Sequence, residues 1–257
     1  MEIGKIIIES LKREDTHKIF IELDNKHELE KIIPKISCMK SVGECKYHVV
    51  NCFEHSINAL KELEIVLNDK DFFPIHLRKH VSNYLNTYIE EGINKLHVLK
   101  LGTFLHDIGK PDSMTLDETG RVHFTNHEKI GAQIIDNMGI NLELSTETYR
   151  LISKYVRYHM ILLSLYKKND LSRKELINVF NLVDEDTIGV IMLGYADIVS
   201  TVKLLGKSGE ISVLKTYMEY ILTNYLYKSC LLYPYDAADE LLHVDLCCLW
   251  SMTSHNS

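Results

Sequence analysis

The chain has 257 residues, 46 % of them hydrophobic and 25 % charged, which is enough for a sizeable core and ordinary for a globular protein. A formal net charge of −7 argues against broad phosphate neutralisation, so no DNA partner is expected. No uninterrupted apolar run reaches the roughly 18 residues of a membrane span, and the N-terminus MEIGKIIIESLKRED has no small-residue cleavage site; the expectation is a cytoplasmic protein with no membrane partner.

Residues 1–46 read as short helices with polar breaks, divided by Pro34. Val49, Val50, Phe53, Ile57, Leu60, Leu63 and Leu67 form a helical stripe. His48 and His55, seven apart, share roughly one face of it. Phe72–Leu85 is a second helix, with Pro74 near its start. Gly92–His106 is a third. It delivers an adjacent His106-Asp107 pair at its C-terminal end, where Gly109 and Pro111 are expected to stop it.

Asp112–His123 is a polar excursion that turns at Asp117-Glu118-Thr119-Gly120. Thr125-x-x-Glu128 reads as a capping box that starts a helix with His127 in its first turn. Ser145 is the expected cap of a long helix ending near His159, and Ser172-x-x-Glu175 reads as another capping box that opens the next one. Asp184–Leu205 is an apolar helix bearing Asp197. Ser212–Tyr227 is the last amphipathic helix, and its Tyr217, Tyr220, Tyr225 and Tyr227 are read as core and rim. Strand signals are few, so the fold class is all-α. The six cysteines form no CxxC and are read as reduced thiols.

Each of His55, His159 and Asp197 is a polar group in a largely apolar helical pattern. With His106, Asp107 and His127 they give the order H…HD…H…H…D. That order, and the string HDIGKP, resemble the HD superfamily of metal-dependent phosphohydrolases. The flanking strings LEKIIPKISCMKSVGECKYHVVNCFEHSINAL, GRVHFTNHEKIGAQI and VRYHM narrow the resemblance to the C-terminal HD region of bacterial tRNA nucleotidyltransferases and poly(A)-polymerase-like proteins, over residues 7–227. The resemblance implies an HD-domain helical bundle over residues 47–228. Residues 1–46 would correspond to the family's linker region, and residues 229–257, which contain no glycine, form an atypical tail. No paired aspartates follow a glycine-serine loop, so the resemblance does not carry nucleotide addition to this chain.

The mixed nitrogen and oxygen donors suit one or two divalent ions, with Mn, Ni, Fe, Co and Zn fitting better than Mg. His55, His106, Asp107 and Asp197 are assigned to the first ion. His127 and His159 either hold a second, with Asp107 bridging, or orient the substrate phosphate. Lys110 and Arg157 are the substrate-phosphate candidates, because a cation near the ions neutralises developing phosphoryl charge and the arginine fork matches phosphate. His48 could line the site, and His123 is expected to point away.

The expected function is a phosphomonoesterase or cyclic phosphodiesterase that acts on nucleotides or RNA ends through metal-activated water. The alternative is a non-catalytic metal- or RNA-binding regulatory HD module. A deoxynucleotide phosphohydrolase is disfavoured by the compact chain, and a cyclic-dinucleotide phosphodiesterase by the lack of a GYP triplet after the HD pair. Substrate, metal identity and oligomeric state stay open.

Overall fold

The computed structural model describes residues 2–42, 50–137 and 140–228; His48 and the tail from residue 229 lie outside them. The N-terminal segment holds α1 (Glu2–Leu11), α2 (Thr16–Asn25), α3 (Leu29–Ile32) and α4 (Ile36–Lys40). There follow α5 (Cys52–Asn68), α6 (Ile75–Leu85), the two-stranded hairpin β1 (Tyr88–Glu90) and β2 (Ile93–Asn94), and α7 (Lys95–Leu105). A short α8 (Lys110–Ser113) leads into a second hairpin of β3 (Met114–Leu116) and β4 (Val122–Phe124), then α9 (His127–Asp136) and α10 (Thr146–Tyr158). The chain closes with α11 (Ile161–Lys168), α12 (Arg173–Val183), α13 (Thr187–Leu204) and α14 (Ile211–Leu226). The class is all-α.

The bundle is organised around α13. Every residue from Thr187 to Ser200 is buried, the pattern of a helix that is covered on all sides rather than on one stripe. It packs against α5, α7, α10, α11, α12 and α14. The continuous stretch Arg173–Leu204 is the one helical run among the described residues long and apolar enough to cross a membrane, and 83 % of its apolar window is buried inside the fold. The N-terminal helices join the same apolar cluster; Phe20 of α2 meets Phe104 of α7 with ring centroids 4.7 Å apart.

Several helix starts follow from side-chain caps. Ser145 Oγ accepts from the Thr148 amide at 3.1 Å, and Ser172 Oγ from the Glu175 amide at 3.4 Å, as expected of those serines. Other expectations need correction. The third helix starts at Lys95 instead of Gly92, because Gly92 (φ 74°) turns the β1–β2 hairpin and Asn94 forms a capping box with His97. The helix bearing His127 has no Thr125–Glu128 box. Asn126 in the left-handed region (φ 62°) precedes it with no side-chain cap, so His127 is its first residue. A short polar side chain tolerates that conformation.

The polar excursion is an ordered hairpin. The Asp117 carboxylate accepts from the Thr119 and Arg121 amides at 2.8 and 3.0 Å. Gly109 and Pro111 do not stop α7, which ends at Leu105; Pro111 sits in the first turn of α8. Of the four tyrosines assigned to core and rim, Tyr217 donates to the Leu165 carbonyl and Tyr225 packs on Phe180, while Tyr220 and Tyr227 are exposed.

Candidate metal centre

Five places in the bundle supply the six donors. His55 lies in the first turn of α5 and Asp197 in the middle of α13. His106 and Asp107 follow the end of α7, His127 opens α9, and His159 follows α10. Two glycines let these elements close in. A Cβ on Gly109 would collide with the backbone of His127 and Gly131, so α9 lies directly on the HD turn. A Cβ on Gly194 would stand 3.0 Å from the His159 carbonyl oxygen and 2.9 Å from the Leu162 Cβ, so the α10–α11 junction rests on α13 one turn before Asp197.

The four imidazoles are held in one tautomer. His106 Nδ1 lies 2.7 Å from the Thr103 carbonyl oxygen, His127 Nδ1 2.8 Å from that of Phe124, and His159 Nδ1 2.7 Å from that of Val156. A carbonyl only accepts, so each Nδ1 carries the hydrogen. His55 Nδ1 reaches Ser200 Oγ at 3.4 Å, and the serine hydroxyl is itself donated to the Asp197 carbonyl at 2.8 Å. In the neutral rings, then, all four Nε2 atoms present lone pairs. They point at one another and at two carboxylates.

On one side His55 Nε2 is 2.9 Å from Asp197 Oδ1, and His106 Nε2 is 3.3 Å from His55 Nε2. Asp107 Oδ2 lies 3.2 Å from His106 Nε2 and 3.5 Å from His55 Nε2. On the other side, Asp107 Oδ1 is 3.4 Å from His127 Nε2 and 3.8 Å from His159 Nε2, with the two rings 3.2 Å apart at Nε2. Asp107 thus gives one oxygen to each half.

Donors bound to one cation at about 2.0–2.2 Å stand roughly 3 Å from each other, and most of these separations have that size. Converging lone pairs and anionic oxygens repel unless positive charge lies between them. The donor set therefore fits one or two divalent cations: His55, His106 and Asp107 converge, as do His106, His159 and Asp197, and Asp107, His127 and His159. All six residues are buried; His127 and Asp197, each 8 % exposed, are the most open.

Charge in the centre is strongly coupled. Burial disfavours ionisation of both carboxyls. It is outweighed by His106 and Lys110 at Asp107, and by His106 and His55 at Asp197, which hold both well below the usual range. Burial also opposes protonation of His106, yet Asp107 and Asp197 raise its pKa to about 10. His159 is pushed down to about 3 by burial and by the neighbouring His106.

Of the remaining sequence candidates, Lys110 is in the centre. Its buried ammonium sits 2.6 Å from Asp107 Oδ2 and 5.6 Å from the centroid of the Phe124 ring, so it engages a ligand carboxylate. Arg157 stands apart from the cluster. It pairs with Asp136 at 3.6 Å and lines a neighbouring groove. His123 is exposed and bonded to Asp117 at 2.8 Å, as expected of a residue that points away. Sequence reasoning missed Ser200 and the three carbonyls behind the rings. Each carbonyl lies three residues before its histidine, a spacing visible in the sequence only once helix ends are placed.

A helical bundle that gathers H…HD…H…H…D around one buried point is the architecture of a metal-dependent phosphohydrolase superfamily. Residues 53–200, more than half the chain and all six donors, match the HD domain, and the chain belongs to that family. It is also similar to the A-adding tRNA nucleotidyltransferase of Deinococcus radiodurans, with 23 % identity over 152 residues, 59 % of this chain and 29 % of that protein. The chain therefore matches under a third of that relative's length.

Proposed function

We propose that the protein is a metal-dependent phosphomonoesterase or cyclic phosphodiesterase acting on nucleotides or RNA ends. The observation that carries this reading is the placement of Asp107, whose two oxygens face two separate histidine pairs. A divalent cation held there supplies Lewis-acid charge to phosphoryl oxygens and lowers the pKa of a water in contact with it. The protein's own contribution is orientation. Carbonyls fix three imidazoles and Ser200 the fourth, which keeps the Nε2 donors basic. Lys110 offsets part of the Asp107 charge and adds a cation beside the place where phosphoryl charge would develop. The similarity to a tRNA nucleotidyltransferase supports nucleotides or RNA ends as the substrate class.

The test couples metal analysis to a screen of phosphomonoesters and 2′,3′-cyclic phosphates, with and without chelator. Wild type should hold transition metal and show chelator-sensitive hydrolysis. Asp107→Ala should lose both while keeping its helical circular dichroism. Full activity in that variant would sink the assignment. Bound metal without turnover of any substrate would favour a regulatory module.

A further inference from the structure

Beside the His127–His159 half of the centre lies a groove of about 370 Å3, within the range of about 300–1,000 Å3 typical of small-molecule sites. The same two chain segments build both. Glu128 and Lys129 follow His127 directly in α9. Arg157 and Tyr158 precede His159, and Met160 and Ile161 follow it. The groove is therefore lined by the immediate chain neighbours of the second histidine pair.

We infer that this groove receives the leaving portion of the substrate and selects nucleotides carrying a second phosphate remote from the scissile one. The inference rests on the phosphohydrolase reading above and adds its specificity. Tyr158, Met160 and Ile161 are half-buried and give an apolar wall with one aromatic ring, a surface suited to the face of a nucleobase. Arg157 and Lys129 flank that wall. Neither pairs with Asp107 or Asp197, so they offer charge to an anion other than the one at the centre.

Both cations are available to a ligand. Lys129 is exposed and makes no ion pair among the described residues. Arg157 has Asp136 at 3.6 Å, a solvent-exposed pair, and such pairs contribute little and yield to a phosphate that matches the guanidinium fork. The one carboxylate lining the groove, Glu128, lies 3.7 Å from His127 Nδ1.

The test measures binding of adenosine 3′,5′-bisphosphate and adenosine 5′-monophosphate to the full chain reconstituted with Mn2+. Equilibrium dialysis is run on ice, and phosphate release is followed in the same samples. Wild type should bind the bisphosphate at least about tenfold tighter, the effect of one well-made charge-assisted contact. Arg157→Gln combined with Lys129→Gln should bring the ratio to within about twofold, and Tyr158→Ala should weaken both nucleotides. Melting temperature checks the fold, and should the double variant unfold, Lys129→Gln alone, at an exposed position, must still shrink the ratio. Equal affinities in wild type, or a preference that survives these substitutions, would overturn the inference. A preference without phosphate release from any substrate would instead remove the phosphohydrolase reading and leave the groove standing.

Discussion

At the scale of single residues, the centre depends on atoms that never touch a cation. Ser200 is the clearest case, because its hydroxyl hydrogen is committed to the Asp197 carbonyl, which leaves its oxygen to accept from His55 Nδ1. Ser200→Ala leaves six donors in place but removes the oxygen that His55 Nδ1 faces. Loss of such an orienting partner costs about 10- to 100-fold in metal affinity, so chelator competition on Ser200→Ala should show a weakening in that range, with the melting temperature of the metal-free protein little changed. An affinity equal to wild type would mean that packing alone orients His55. The donors themselves were legible in the sequence, because a histidine or aspartate in an apolar helical stripe stands out. Their supports were not. A serine beside an aspartate on a buried helix, or a carbonyl three residues upstream, carries no compositional signal.

At the scale of elements, the long helices announce themselves by 3.6-residue periodicity and by caps such as Ser145 and Ser172. The two hairpins do not, since strands of two or three residues are too short for a period-two pattern. The start of α9 follows from a backbone conformation that spacing does not reveal. Thr125 and Glu128 have the right spacing for a capping box, but Asn126 takes the left-handed conformation and places His127 at the first helical position. Gly109 reads in the sequence as a helix stop, whereas its contact is tertiary: the missing Cβ is what lets α9 rest on the HD turn. Gly109→Ala must push backbone against backbone, and overpacking of this kind costs about 1–3 kcal/mol. Urea denaturation should report a loss of that size. Because α9 carries His127, the variant should also hold less metal per chain than wild type; unchanged stability and unchanged metal content would show that the turn and α9 can separate freely.

At the scale of the whole molecule, a second polar node holds the bundle together away from the centre. Asp186, just before α13, accepts from Lys95 at 2.8 Å, Lys154 at 2.6 Å and Tyr84 at 3.2 Å, while Tyr84 and Tyr155 share a hydrogen bond of 2.6 Å. These contacts tie α6, α7, α10 and the entry to α13 to one carboxylate. Asp186 and Lys95 are both buried, so Asp186→Ala would leave the Lys95 ammonium with only the exposed Glu185 carboxylate, 3.9 Å away, as its counter-charge. Breaking a buried pair from one side costs about 3–5 kcal/mol, and chemical denaturation should find a loss of that order; a loss below 1 kcal/mol would mean Lys95 escapes to solvent in the variant. The node and the metal centre share α13, which therefore takes part in both.

His55 and Asp197, in contact at 2.9 Å, are separated by 142 positions in the chain. The first half of the centre is thus incomplete until synthesis has passed residue 197, and no growing fragment short of that point can present all four of its donors. A cation there would be held only once α13 has docked between its neighbours, and it would clasp segments that lie 142 positions apart in the chain.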